Sequence, residues 1–179
     1  MASIFTHAFI AAAMCKAYTA EPLPARFWLL SVLCSVLPDA DVLAFAFGIP
    51  YGHMFGHRGF THSLAFAMLL AAAVVALFFR DAQNRTALVV YFFLVTASHA
   101  ALDALTDGGL GVALFAPFSG ARYFFPFSPL TVSPIGIGSF FGEWGLAVIR
   151  SELLWVWLPV SLLLAAVLIF RRQRKLRRG

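Results

Sequence analysis

Five long apolar segments divide the chain, and short polar or glycine- and proline-rich connections separate them. The segments run over residues 5–18, 27–47, 63–79, 86–105 and 153–170. A helix that crosses the hydrocarbon core of a bilayer needs roughly 20 mainly apolar residues, within a range of about 17 to 25. The first segment is short by this measure. The pattern predicts an all-α fold, an integral membrane bundle of about five transmembrane helices.

A sixth and shorter apolar stretch, residues 110–118, is interrupted by glycine and proline. Such backbone is tolerated at membrane depth only where protein or water surrounds it, so we expect a re-entrant or interfacial element. The overlapping segment 117–129 is rich in phenylalanine and proline. It is typical of an interfacial aromatic belt, and it is also compatible with a lid that holds Arg122 over a phosphate.

Composition narrows the class of protein. Of the 179 residues, 61% are hydrophobic and 12% are charged, whereas roughly 25% of the residues of a soluble domain are charged. This balance argues against a soluble enzyme, a disordered tail and a free nucleic-acid-binding domain. The length fits one membrane-embedded domain over residues 1–170, followed by a basic tail over residues 171–179. We interpret Cys15 and Cys34 as packing residues.

The distribution of positive charge predicts the orientation. The net charge of +5 arises mainly from the tail. A basic run after a long apolar segment is typical of a cytoplasmic anchor at anionic lipid rather than of nucleic-acid binding. With the tail in the cytoplasm, the connections at 16–26 and 80–85 also face the cytoplasm, and ten of the thirteen basic residues lie there. The N-terminus and residues 48–62 and 106–152 then lie outside.

Polar side chains that are costly in a membrane converge on the predicted outer side. Ionisable residues at membrane depth are functional candidates. All five histidines and four of the aspartates fall near the outer ends of the predicted helices or in the outer connections. The candidate metal ligands among them are His7, Asp39, Asp41, His57, His62, His99 and Asp103. Hydrogen-bonded polar packing without a metal ion is the alternative interpretation.

Two local spacings favour metal binding. His99 and Asp103 are four residues apart, so one helix face carries both side chains; a hydrogen bond between them is the alternative. Asp39 and Asp41 follow Pro38, which is expected to break or kink the helix. Two unpaired carboxylates this close would repel each other, and a divalent cation would remove the repulsion.

A third motif lies before the third apolar segment. His57 and His62 place two imidazoles around the flexible Gly59. Thr61 is the expected N-cap of the helix that follows, with Ser63 as the alternative.

The remaining polar residues of the outer side carry weaker signals. His53 ranks below the other histidines because it lies in loop sequence rich in glycine and aromatic residues. Asp107 is expected to act as a cap or as a supporting group. We interpret Glu143, Arg150 and Glu152 as ordinary interface charges.

Imidazole together with carboxylate suits zinc best, with manganese or iron as alternatives, and argues against magnesium or calcium alone. Two ions roughly 3.5–4 Å apart would use the ligand set fully, and one ion with supporting His–Asp pairs is the other arrangement. A carboxylate not fully used by metal, Asp39 or Asp41, is the expected general base. Arg58 and Arg122 are expected to bind and neutralise phosphate oxygens.

Taken in order, these motifs resemble the YdjM family of bacterial inner-membrane metal-dependent hydrolases. The matching motifs are Thr6-His7, Leu37-Pro38-Asp39-Ala40-Asp41, residues 57–63, residues 98–103, Pro117-Phe118-Ser119 and residues 122–126. The resemblance covers roughly residues 1–135. It implies a membrane-bound metal-dependent hydrolase of the bacterial inner membrane.

The sequence is more distantly similar to the zinc-dependent phospholipase C and nuclease group of helical phosphoesterases. His99 and Asp103 match a His-x-x-x-Asp pair of metal ligands in that group, and His7, Asp41 and His57 match its upstream ligands. Its later ligands have no counterpart, since no histidine follows His99. The resemblance implies a phosphoester of a lipid or lipid-linked substrate, with one or two ions bound.

The main alternative is a transporter or channel for metal ions or protons, because buried His and Asp clusters also mark such pathways. A pathway needs polar groups at several depths, whereas the cytoplasmic halves of the predicted helices are almost purely apolar. This one-sidedness favours a site. A heme- or metal-binding anchor protein is a third alternative, but the neighbouring carboxylates fit a hard cation better. The sequence gives no indication of the oligomeric state.

Overall fold

The structure is a computed structural model, and it describes residues 1–177. The last two residues of the predicted tail, Arg178 and Gly179, lie outside the described residues. Seven α-helices form within the described chain: α1 (Ile4–Tyr18), α2 (Ala25–Val36), α3 (Leu64–Phe78), α4 (Arg85–Ala104), α5 (Ile137–Phe140), α6 (Glu143–Glu152) and α7 (Leu158–Leu176). Over the same residues, β-structure is limited to two isolated bridges. The predicted all-α class is confirmed.

Within residues 1–177, three helical stretches are long and apolar enough to cross a bilayer: Ala25–Phe47, Arg85–Ala104 and Glu143–Leu176. The third is continuous because a π-helical turn, Leu153–Trp157, joins α6 to α7. The two other apolar helices, α1 and α3, have 15 residues each. The five predicted apolar segments therefore coincide with helices, and the arrangement is that of a helical membrane bundle.

The break expected at Pro38 is present and changes the winding of the chain. The helix α2 ends at Val36, and the chain continues as a 3-10 helix over Leu37–Phe47. Proline lacks the N–H that an α-helical hydrogen bond needs, and its ring clashes with the carbonyl of the preceding turn. The altered winding keeps both Asp39 and Asp41 buried.

The cap of α3 corrects one expectation. The Ser63 hydroxyl accepts a hydrogen bond from the Phe66 N–H at 3.1 Å, so Ser63 is the N-cap and the assignment to Thr61 is wrong. Thr61 lies within a 3-10 turn, Phe60–His62, and its hydroxyl donates to Asp41 Oδ2 at 2.7 Å. Because of this turn, the N-cap lies two residues later than expected, and the Thr61 side chain contacts Asp41 instead of capping the helix.

The expected re-entrant or interfacial element over residues 110–118 is an irregular loop without an α-helix. Bridges between Thr106 and Leu130 and between Val112 and Tyr123 hold it. Gly111 has a φ of 76° and passes close to the Tyr123 backbone, a conformation and an approach that suit glycine.

The helices pack so that polar and apolar layers occupy opposite ends of the bundle. The helix α4 packs against α3 and α2, and α1 packs against α2 and α7. An aromatic core forms where α2 and α4 begin, with the Phe27 ring 4.8 Å from Tyr91 and 5.4 Å from Phe92. Cys15 and Cys34 are buried and unbridged. The ends of α2 and α4 that carry the polar residues lie at the other side of this core.

Candidate metal centre

The predicted ligands meet where four helix ends come together. They lie in the first turns of α1, in the 3-10 helix after α2, in the segment before α3 and in the last turns of α4. Each side chain belongs to a residue that exposes 9% or less of its surface: His7, Asp39, Asp41, His57, His62, His99 and Asp103. Because buried ionisable groups are costly unless paired or bound to a metal, this clustering needs compensation.

Two imidazole nitrogens and two carboxylate oxygens converge on one point. The Nε2 atoms of His62 and His99 are 3.0 Å apart, and Asp39 Oδ1 lies 3.6 Å and 3.4 Å from them. Asp103 Oδ2 lies 3.5 Å from His62 Nε2 and 4.0 Å from His99 Nε2. A tetrahedral zinc ion with bonds of about 2.0–2.2 Å separates its ligand atoms by roughly 3.3–3.5 Å. The separations given above, 3.0–4.0 Å, lie on either side of this value, so the four atoms could hold a metal ion.

The backbone fixes the orientation of the His99 ring. Its Nδ1 lies 2.7 Å from the carbonyl oxygen of Ser35. Because a carbonyl oxygen can only accept, Nδ1 carries the proton and a neutral ring presents a lone pair at Nε2. Hydrogen bonds of this kind behind a metal-binding imidazole are typical of metal sites.

Asp41 supports the neighbouring imidazoles. Its Oδ1 lies 2.7 Å from His57 Nδ1, and its Oδ2 lies 3.1 Å from His62 Nδ1. The backbone N–H of Arg58 also donates to Oδ2, at 3.1 Å. Asp41, His57 and His62 could hold a metal ion, but their contacts have the lengths of hydrogen bonds. Asp41 therefore contacts the Nδ1 edge of the His62 ring and leaves Nε2 directed at the cluster.

The facing Nε2 atoms of His62 and His99 need a proton or a metal ion between them, because two lone pairs at this distance would repel each other. Burial acts to lower the pKa of His62, but contacts with Asp103, Asp39 and Asp41 outweigh it and raise this pKa well above its ordinary value. A proton on His62 and a metal ion are therefore alternative ways to satisfy the same pair of nitrogens.

His7 and Asp39 have unsatisfied polar atoms. Both ring nitrogens of His7 and both oxygens of Asp39 are buried and have no hydrogen-bond partner among the described residues. His7 Nε2 lies 3.5 Å from Asp103 Oδ1 and 4.0 Å from Asp39 Oδ2. A buried polar atom without a partner costs about 1–3 kcal/mol. A bound cation would satisfy His7 Nε2 and the two oxygens of Asp39, so these residues fit a metal site.

The structure places Arg58 differently from the expected phosphate-binding position. The side chain is fully buried, and its Nε donates to Asp103 Oδ2 at 3.1 Å. The Nη1 and Nη2 atoms donate to the Gly108 carbonyl and the Thr106 hydroxyl, both at 2.9 Å. All three guanidinium nitrogens are engaged with protein, so Arg58 orients Asp103 instead.

Arg122 also binds backbone in this structure. Its Nη1 and Nη2 donate to carbonyl oxygens of the 51–58 segment and of Gly111, at 3.0–3.4 Å. The guanidinium thereby joins two loops. Phe124, Phe125 and Phe127 beside it are exposed, as an interfacial aromatic belt requires. A contact of Arg122 with phosphate stays a prediction.

The weaker candidates lie apart from the cluster. His53 is exposed, and its Nδ1 accepts a hydrogen bond from a neighbouring backbone N–H. Asp107 is also exposed and accepts a hydrogen bond from the Val132 N–H at 2.8 Å. Glu143 and Arg150 are exposed, as expected of interface charges.

Glu152 was expected to be an ordinary interface charge, and this expectation is wrong. The residue is 1% exposed. It accepts hydrogen bonds from the Ser3 N–H at 2.5 Å, from the Ser3 hydroxyl at 2.6 Å and from the Thr6 hydroxyl at 2.8 Å. The carboxylate therefore joins α6 to the beginning of α1. One of its partners, Thr6, directly precedes His7.

An apolar cleft of about 530 Å³ opens beside the cluster. Asp39 forms part of its wall, and the apolar lining includes Ile4, Phe5, Val42, Phe140 and Phe141. Several of these side chains are exposed at the surface of the bundle. The cleft thus connects an apolar surface with a carboxylate of the cluster.

Comparison with known proteins identifies the family. The family model described as YdjM inner membrane protein matches residues 1–175, well beyond the part that carries the sequence motifs. The chain is 38% identical over 176 residues to the inner membrane protein YbcI of Escherichia coli (strain K12), and the match covers 97% of this chain and 100% of the relative. No solved structure matches the chain. The chain therefore belongs to the YdjM inner membrane protein family.

Proposed function

We propose that this protein is a membrane-embedded metal-dependent hydrolase that cleaves a phosphoester of a lipid or lipid-linked substrate. The observation that carries the proposal is the convergence of two imidazoles and two carboxylates beside an apolar cleft. Few other arrangements compensate the cost of burying these groups together.

Zinc is the ion that the donor set favours, with manganese and iron as alternatives. His62, His99, Asp39 and Asp103 would hold one ion, and His7 with the second oxygens of the two carboxylates would hold another. When bound, the metal supplies Lewis-acid polarisation of a phosphoryl oxygen and acidifies a water molecule.

Asp39 is the residue that we assign as general base. It lines the cleft, and its two oxygens accept no hydrogen bond from the described residues. With a single ion bound by His62, His99, Asp39 and Asp103, one oxygen of Asp39 serves the metal ion while the other accepts a proton from water. Asp41 is less suited to this role, because its oxygens already contact His57, His62 and Thr61.

The cleft supports a lipid as the substrate. Phe5 and Phe141 stand at its exposed side, where membrane lipid would contact them. An acyl chain in the cleft would place the phosphoester head group at Asp39. Such a substrate would arrive laterally from the bilayer.

The charge distribution supports a site on the outer side of the membrane. Lys16 lies in the last turn of α1, and the loop between Arg80 and Arg85 joins α3 to α4; both positions are remote from the cluster. The positive-inside rule assigns these ends and the tail to the cytoplasm.

The proposal is tested by metal content and by turnover. Elemental analysis of detergent-purified protein should find one or two equivalents of zinc, manganese or iron. His99→Ala and Asp103→Asn should lose the metal, whereas His53→Ala, a histidine outside the cluster, should keep it. Metal-loaded wild type should release phosphate esters from phospholipid vesicles, and His99→Ala should not.

Two results would overturn the proposal. Protein that contains no metal and takes up none on addition would favour proton or ion transport through the cluster. Protein that binds metal but leaves all lipid phosphoesters intact would favour a metal-binding role without hydrolysis.

A further inference from the structure

We propose that a basic cavity at the end of the bundle opposite the metal centre binds the phosphate head group of an anionic membrane lipid. The cavity has a volume of about 640 Å³. It lies between the end of α1, the connection to α2 and the last turns of α7. Thr19 at its rim lies twelve positions after His7, a distance of about 18 Å along the axis of α1.

Two elements that are distant in sequence build the cationic wall. Lys16 comes from the last turn of α1, and Arg171, Arg172 and Lys175 come from α7. Glu21 is the one acidic residue of the lining, and no salt bridge of the described chain joins it to these cations. Because like charges repel when they are brought together, a bound anion would stabilise this arrangement.

Arg171 supplies an independent observation. Its Nη2 donates to the carbonyl oxygen of Ala17, which docks α7 on α1. Its Nη1 is buried and has no acceptor among the described residues. A buried guanidinium donor is costly when it lacks an acceptor, and a phosphate oxygen in the cavity would accept from it.

The walls favour a lipid over a free anion. Leu23, Trp28 and Leu168 line the cavity beside the cations. Leu162 and Leu163 on the same helix are 63% and 66% exposed, as expected of a helix in contact with acyl chains. Basic pockets between transmembrane helices are known binding sites of anionic lipid head groups.

The inference is independent of the proposed hydrolase. It uses none of the residues of the metal centre, and the ligand would stay intact. Its test therefore reports on the cavity alone.

The test compares two double variants of the same tail. Arg172→Gln with Lys175→Gln removes two charges from the cavity. Arg174→Gln with Arg177→Gln removes two charges at the same spacing from exposed residues outside it. Both variants keep Arg171 and its contact with α1. Thermal unfolding of each protein is measured in lipid nanodiscs of phosphatidylcholine with and without phosphatidylglycerol.

Phosphatidylglycerol should raise the unfolding temperature of wild type and of the Arg174/Arg177 variant by several degrees. The Arg172/Lys175 variant should lose this shift, and so should Lys16→Gln, which changes the other helix. Equal shifts in both double variants, or equal losses in both, would overturn the proposal in favour of diffuse attraction to the tail. A shift of the same size with inorganic phosphate in phosphatidylcholine would overturn the assignment to a lipid.

Discussion

The hydrogen bonds behind His62 and His99 determine which ring nitrogens face the cluster. The Ser35 carbonyl binds Nδ1 of His99, and Asp41 binds Nδ1 of His62. Both rings therefore present Nε2 towards Asp39. Such supporting groups typically tune metal affinity without contacting the ion, and this distinction makes Asp41 testable.

Asp41→Asn should weaken zinc binding by about 10- to 100-fold while the stoichiometry at saturation is unchanged. An asparagine presents one oxygen in place of two, so it cannot accept from His57 and His62 together. Competition with a chromogenic chelator measures the affinity, and Asp107→Asn serves as the exposed control. A complete loss of binding would show that Asp41 is itself a ligand.

Zinc binding should release a proton and should weaken as the pH falls. The contacts with Asp103, Asp39 and Asp41 raise the pKa of His62 and so favour a proton on this ring in metal-free protein. Zinc needs the neutral imidazole, so it competes with that proton. Calorimetric titrations in two buffers of different ionisation enthalpy measure the proton release. Identical heats in both buffers would contradict the prediction.

Among the secondary-structure elements, the contact between α6 and α1 has the clearest energetic role. The Glu152 carboxylate lies at the N-terminus of α1, where the helix dipole favours a negative charge. Trp157 reinforces the contact, since its indole N–H donates to the Thr6 hydroxyl at 2.6 Å. The last long helix is thereby fixed to the helix that carries His7.

Glu152→Ala should destabilise the protein by on the order of 3 kcal/mol, because it leaves several buried donors at the start of α1 without an acceptor. The unfolding temperature in detergent should fall accordingly. Glu143→Ala, which removes an exposed carboxylate near the other end of α6, should leave it nearly unchanged. Equal changes in the unfolding temperature for the two substitutions would show that the buried hydrogen bonds of Glu152 do not stabilise the protein more than an exposed carboxylate does.

Glu152 also shows where prediction from the sequence ends. The helices were predictable because a bilayer requires continuous apolar runs, and the ligands were predictable because polar residues are costly there. The partners of Glu152 lie 146 and 149 residues away in the sequence, and a local sequence pattern cannot predict a contact between residues so far apart. The engagement of Arg58 likewise depends on the path of a loop in which its own φ is 58°.

Across the whole molecule, the described structure has a chemically distinct layer at each end. The histidines and carboxylates lie at one end, the aromatic core around Phe27 and Tyr91 follows, and the basic cavity lies at the other. This polarity supports the predicted orientation, which a labelling experiment can determine.

Gly120→Cys should react with a membrane-impermeant thiol reagent in intact cells, and Gln83→Cys should not. Position 120 has open space for a side chain, and both positions are exposed. The native thiols Cys15 and Cys34 are buried, so the wild-type protein provides an unlabelled background. Labelling at position 83 and not at position 120 would show that the protein has the opposite orientation.

The distribution of the ligands along the chain has a consequence for biogenesis. The cluster takes its first member from α1 and its last from the end of α4, so a nascent chain cannot assemble it until four helices have entered the membrane and packed. Under the proposed function, metal acquisition would be a late step that follows insertion of these four helices. A chain arrested before α4 would hold the aspartates after α2 beside His57 and His62 but would lack both His99 and Asp103. Metal content would thus report that the first four helices have inserted and packed.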